Sequence, residues 1–133
     1  MEKISLPHGH DAVGQKIADQ LPKGEQFQSI ADAFKLLSDP TRVKLFWILC
    51  HCEECVVDLA AMMDMSSPAV SHHLRHLKET GLITCHRRGK EVYYKAAQDP
   101  RAQALHQMME TMEAISCPAQ LEVMFPSEVM SLR

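Results

Sequence analysis

Apolar positions recur along most of the chain at helical spacing. From Glu25 onward Phe27, Ile30, Phe34 and Leu37 fall on one face, at intervals of three and four, which predicts a helix. Ser38-Asp39-Pro40 ends it, because proline disfavours the α region in the residue before it and suits the first turn after it. A second helix is predicted from 40 to about 51, dense in Val43, Leu45, Phe46, Ile48 and Leu49. A cysteine-rich turn leads to a short third helix over 57–63. The next helix opens with Ser67 as a hydroxyl N-cap and Pro68 at its first position, runs to Thr80 and stops at Gly81. Short β-type runs, 83–87 and 91–96, flank Arg88-Gly89-Lys90 and predict a hairpin. Ala102, Leu105, Met109 and Met112 mark a last helix over about 100–116, closed by Cys117-Pro118. Residues 1–21 read as an arm with a short helix of their own, 22–117 as one domain, and 118–133 as a tail. The fold class is mainly α with a small β-hairpin.

Composition narrows the function. In 133 residues, 46% are hydrophobic and 23% charged, ordinary values for a globular domain. The longest apolar run, Leu45 to Cys50, is far short of the ~20 residues that cross a bilayer. With no apolar stretch after Met1-Glu2-Lys3 to serve as a secretory signal, the expected location is the cytoplasm, away from membranes. The net charge of −3 is unevenly spread. Between His72 and Lys95 six Lys/Arg face two Glu, a local +4 that leaves −7 on the remainder. A basic segment on an acidic chain points to a nucleic-acid footprint.

That segment has the right side chains. On the helix from 68 to 80, Val70, Leu74 and Leu77 form a stripe for burial, opposite Pro68, His72, Arg75 and Glu79, with Ser71 and His76 on the flanks. A short helix, a tight turn through Asp64-Met65-Ser66 and a second helix of this kind have helix-turn-helix logic. Such a second helix enters the major groove, where arginine grips guanine and serine serves bases or phosphates. Ser67, Ser71, His72, Arg75 and His76 are the candidate readers. Arg87, Arg88 and Lys90 at the hairpin tip are candidates for the phosphate backbone or minor groove. A merely solvated helix face is the competing reading of the helix alone; the basic hairpin tip weighs against it.

Four motifs extend the pattern: Ala33-Phe-Lys-Leu-Leu-Ser-Asp-Pro-Thr-Arg42, Ser67-Pro-Ala-Val-Ser-His-His-Leu-Arg75, Leu77-Lys-Glu-Thr-Gly-Leu-Ile83 and Arg88-Gly-Lys-Glu-Val-Tyr-Tyr94. Together, over about residues 25–116, the chain resembles the ArsR/SmtB repressors. The resemblance implies a winged helix-turn-helix homodimer that binds double-stranded operator DNA and releases it on binding an inducer. It also implies that the first and last helices pair across the dimer, so Leu105, Met109 and Met112 become candidate interface residues.

The family senses through several sites. One lies in a Glu-Leu-Cys-Val-Cys-Asp-Leu segment, to which Glu53-Glu54-Cys55-Val56-Val57-Asp58-Leu59 is similar; Cys55 matches the first cysteine and Val57 replaces the second. A second needs Asp-x-His and a later His on the last helix; Asp99 matches, but Arg101, Met112 and Ile115 do not, so that site is read as lost. Cys52 stands three residues before Cys55, and two thiolates so spaced suit zinc, cadmium or lead. His8 and His10 in the arm, His51 and Cys117 are candidates to complete that set. Cys50, Cys85, His73 and His106 are read as packing residues. A redox or persulfide sensor using Cys55 or Cys50 with Cys117 is the alternative, disfavoured by Glu53 and Glu54, since negative charge opposes thiolate formation. An enzyme is not expected, because no phosphate loop or nucleophile–base set appears.

Overall fold

The computed structural model describes residues 3–113, with the elements α1 (Ala12–Asp19), α2 (Gly24–Leu36), α3 (Pro40–His51), β1 (Glu54–Cys55), α4 (Val56–Met63), α5 (Ser67–Glu79), β2 (Ile83–Arg88), β3 (Glu91–Ala96) and α6 (Pro100–Glu113). Cys117 and the tail lie outside the described residues. Among these residues no helix is long and apolar enough to cross a membrane. The chain divides after Lys35 into two compact units.

In the first unit, Asp11 caps α1 by accepting from the backbone N–H groups of Val13 and Gly14 at 3.0 and 3.1 Å. The helical period of α2 is present as predicted, but its apolar face is not covered. Phe27, Ile30 and Phe34 are each about half exposed.

The second unit is built around α3. This helix is apolar on nearly every side, and a helix of that kind belongs inside. Leu45, Phe46, Ile48 and Leu49 are all buried, each large side chain contributing about 1.5–3 kcal/mol. Asp39 starts the helix by accepting from Arg42 N–H at 3.1 Å, with Pro40 at the first position. Helix α5 packs on it and α4 packs on α5, with Leu59, Met63, Val70, Leu74 and Leu77 buried. The turn between them is made by Asp64 in the left-handed region (φ 53°), where the Met65 N–H reaches the Ala60 carbonyl at 3.0 Å. Helix α5 ends in a matching left-handed turn at Gly81 (φ 80°), with the Leu82 N–H donating to the Leu77 carbonyl at 3.2 Å.

Strands β2 and β3 form the expected hairpin, with Arg88 opposite Glu91 and the two-residue turn Gly89-Lys90. Gly89 has φ 66°, a conformation that costs glycine nothing and suits the first position of a type II′ turn. Sequence periodicity did not predict β1. Two residues carry no period, yet Glu54 and Cys55 pair antiparallel with Tyr94 and Tyr93 and complete a sheet of order β1-β3-β2. Pairing begins early enough that α4 starts at Val56, directly after the strand.

One further expectation changes. The cap of α5 is Ser66, whose hydroxyl accepts from Ala69 N–H at 3.3 Å, so Ser67 and Pro68 are the first two helical residues. In α6, Leu105 is buried with Ala102 in the unit's own core, while Met108 and Met112 are exposed. Ser66→Ala is expected to lower stability by about 1 kcal/mol and Ser67→Ala by much less, read as urea midpoints at constant m. The reverse order would return the cap to Ser67.

Candidate nucleic-acid interface

Helix α5 is held by its buried stripe, which turns the other face outward. His72 and Arg75 are exposed; Ser67, Ser71 and His76 are half-buried beside them. The His72 and His76 rings, one helical turn apart, meet edge to face with centroids 4.6 Å apart. His73 points the other way. Its Nδ1 is buried without a hydrogen bond, 3.9 Å from Asp39 Oδ2. Burial lowers its pKa; Asp39 opposes the shift, and Arg42, His72 and His76 add to it.

At the hairpin tip Arg87, Arg88 and Lys90 are exposed, as expected of a phosphate-facing loop, but they are not equivalent. Arg88 donates to Glu53 Oε1 at 2.6 Å and lies 4.6 Å from the centre of the Tyr93 ring. Glu53 also meets His86 at 3.1 Å. This cluster fastens β2 to the residue just before β1, so Arg88 is partly spent inside the protein. Arg87 and Lys90 are exposed and present their charge outward.

The candidate thiolates are placed differently from one another. Cys52 caps α3, its Sγ 3.4 Å from the Ile48 carbonyl, and burial, then Glu54, raises its pKa. Cys55 is buried in β1. Neither joins a group of three metal-capable donors among the described residues, because one ends a helix and the other sits in a strand of the core. Cys52, Cys55 and Cys85 are not in disulfides. His8 and His10 are exposed in the first unit, their rings stacked 5.9 Å apart.

The group that does come together was missed. His51 Nε2 lies 3.0 Å from His106 Nε2, and His106 Nε2 lies 3.1 Å from Glu110 Oε1. His106 is therefore not a packing residue, as the sequence suggested, but the centre of a polar cluster. Burial lowers the pKa of His51, as does His106, against the opposing pull of Glu110.

A family model described as "Bacterial regulatory protein, arsR family" matches residues 39–84, from the start of α3 into β2. The biofilm growth-associated repressor of Agrobacterium fabrum is 32% identical over 88 residues, which cover 66% of this chain and 72% of that protein. This chain belongs to the ArsR/SmtB family. That is a family of transcriptional regulators, not enzymes. The SmtB homolog of a Synechocystis strain, named a transcriptional repressor, is 44% identical over 75 residues, 56% of this chain and 57% of that one. The cadmium resistance regulatory protein CadC of Listeria innocua is 45% identical over 67 residues, 50% and 56% of the two chains. The aligned part thus spans little more than half of these two relatives. Among solved structures, the homodimeric winged helix-turn-helix domain Mb0332 of Mycobacterium bovis superposes with a TM-score of 0.64 at 23% identity, covering 71% of this chain and 87% of that one. The fold is a winged helix-turn-helix, with β2 and β3 as the wing.

Two positions compared with the family's last-helix site make structural contacts here. Asp99 caps α6, accepting from Ala102 N–H at 2.9 Å, and Arg101 donates to the Thr80 carbonyl at 3.2 Å.

The buried His73 has a consequence for stability. Its folded pKa lies below the unfolded value of about 6.5, so the unfolded chain binds the proton more readily. Stability is then retained above that value and lost as pH falls toward the folded pKa. Denaturant unfolding at about pH 7.5 and about pH 5.5 should show this loss, and His73→Leu should make it smaller. An unchanged pH slope in His73→Leu would remove His73 as a cause; His51 shifts in the same direction and accounts for a remainder.

Proposed function

We propose that this protein is a homodimeric transcriptional repressor of the cytoplasm that binds operator DNA through α5 and the wing and releases it when a metal ion binds. The observation that carries this reading is the outward face of α5. Val70, Leu74 and Leu77 fix the helix from behind, so His72 and Arg75 are presented to solvent on a rigid element, with Ser67, Ser71 and His76 at their flanks. A rigid helix of this kind fits the major groove, and arginine there can hold guanine O6 and N7 together. Arg87 and Lys90 extend the cationic surface along the wing, with Arg88 in a lesser role because Glu53 already holds it.

Dimerisation is supported by the uncovered apolar groups. Phe27, Ile30 and Phe34 on α2, with Met108 and Met112 on α6, are exposed in one protomer, and a second copy is the occupant that would cover them. Met109, half-buried between Met108 and Met112 on α6, is a further candidate for the interface.

Metal response is supported by kinship with the cadmium resistance regulator. Cys52 and Cys55 are the proposed thiolate pair for a soft ion such as cadmium or lead, or for zinc, with His8, His10 and Cys117 as further candidate ligands. By linkage, an ion that weakens DNA binding must itself bind the DNA complex more weakly than it binds the free protein.

The test is operator binding by anisotropy at several salt concentrations. Arg75→Ala is expected to cost ~1–3 kcal/mol at the operator and little on unrelated DNA. Arg87→Ala and Lys90→Ala should weaken all sequences alike and each reduce the salt slope by about one, with Arg88→Ala doing less. Unchanged operator affinity in Arg75→Ala would sink the assignment of α5 as the reading helix.

A further inference from the structure

The His51–His106–Glu110 cluster lies away from the DNA-facing surface and uses neither of the family sites compared above. His51 ends α3, and His106 and Glu110 stand one turn apart on α6. We propose that these three side chains form a binding site for a divalent ion of borderline hardness, zinc, cobalt or nickel, which clasps the end of α3 to α6.

The geometry is close to what such an ion requires. Ligand bonds of ~2.0–2.1 Å in a tetrahedral site put neighbouring donor atoms ~3.3–3.4 Å apart. The two imidazole nitrogens are 3.0 Å apart and the carboxylate oxygen is 3.1 Å from the nearer one. All three donor atoms lie within 4.8 Å of one another. A few tenths of an ångström of side-chain rotation opens the group to hold an ion at its centre.

Proton chemistry alone serves this arrangement less well. A neutral imidazole carries one proton, so a proton on His106 Nε2 can be aimed well at Glu110 or at His51, not both. Protonating both rings brings two positive charges within contact. A shared cation accepts a lone pair from each of the three groups at once. It also sets a positive charge beside Glu110, a carboxylate with only 9% of its surface exposed.

The surroundings favour a built site. The Trp47 ring lies 4.4 Å from the His51 ring, and the His106 ring meets it edge-on at 4.7 Å, so His51 is oriented from two sides. A cleft of about 320 Å³, lined in part by Cys50, His51, Cys52, Gln103 and His106, adjoins the cluster and gives an entry path with room for a water as fourth ligand. Two imidazoles and one carboxylate suit zinc, cobalt and nickel better than cadmium or lead, which the thiolates favour, or magnesium and calcium, which want oxygen alone. The site itself stands apart from the repressor reading. Its regulatory consequence rests on that reading: α3 supports α5, α6 carries the exposed Met108 and Met112, and an ion joining the two would couple the reading head to the dimer surface.

The experiment is a zinc titration of the full chain without DNA, followed through the imidazole nitrogen resonances by NMR and repeated with cobalt in the visible. One equivalent of zinc is expected to move the Nε2 signals of His51 and His106. His106→Gln and the isosteric Glu110→Gln should each weaken binding at this site at least about tenfold while leaving any thiolate–cobalt absorption in place. The site is overturned if both rings stay unmoved at saturating zinc, if His106 proves protonated and simply paired with Glu110, or if a folded variant binds zinc as tightly as the native chain. The native-protein spectra decide even where a variant fails to fold. Zinc that seats at the two rings yet leaves operator affinity unchanged supports the site and removes only its regulatory consequence.

Discussion

Burial of one side of α3 is the constraint from which the second unit follows. Leu45, Phe46, Ile48 and Leu49 are buried while Pro40, Lys44 and His51 stay exposed, so other elements must cover that apolar side. Helix α5 and strand β3 pack against α3, α4 packs against α5, and α6 adds Ala102 and Leu105 to the core. Each covering element is amphipathic, and turning its apolar side inward decides what it shows outside. The outward face of α5, with Arg75 and His72, is in this sense a by-product of where Val70, Leu74 and Leu77 must go. The left-handed turns at Asp64 and Gly81 then fix where the helix starts and stops.

Much of this was legible in the residues, and where it was not the reasons are physical. The stripe of α5, the Asp39-Pro40 start of α3 and the Gly89 turn are local features, written in adjacent residues, and they appear as read. The cap of α5 slipped by one because two serines stand side by side; only the hydrogen bond from Ala69 distinguishes Ser66. Strand β1 was invisible because a two-residue strand depends wholly on its partner β3. Leu105 and the face of α2 show the limit of periodicity: it marks which residues are apolar together, not which neighbour they meet.

Sites assembled over long sequence distances were the least legible. The spacing of His106 and Glu110 hints at a shared helix face, but His51 comes from 55 residues away. Cys52 and Cys55 are close in sequence but stand in different surroundings, one at the end of α3 and the other buried in β1. Arg88 belongs to the same class, since its engagement with Glu53 depends on the sheet closing on the segment before β1.

The wing and α5 both belong to the second unit's core, and with the homodimer proposed above the central claim concerns how two reading helices meet one duplex. Selection of binding sites by the full chain from a pool of randomised duplexes tests it most directly. Enrichment of an inverted repeat, with half-sites centred about one helical turn (~34 Å) or a multiple of it apart, is the expected result. Enrichment of a single unrepeated half-site, or none above the starting pool, would contradict it.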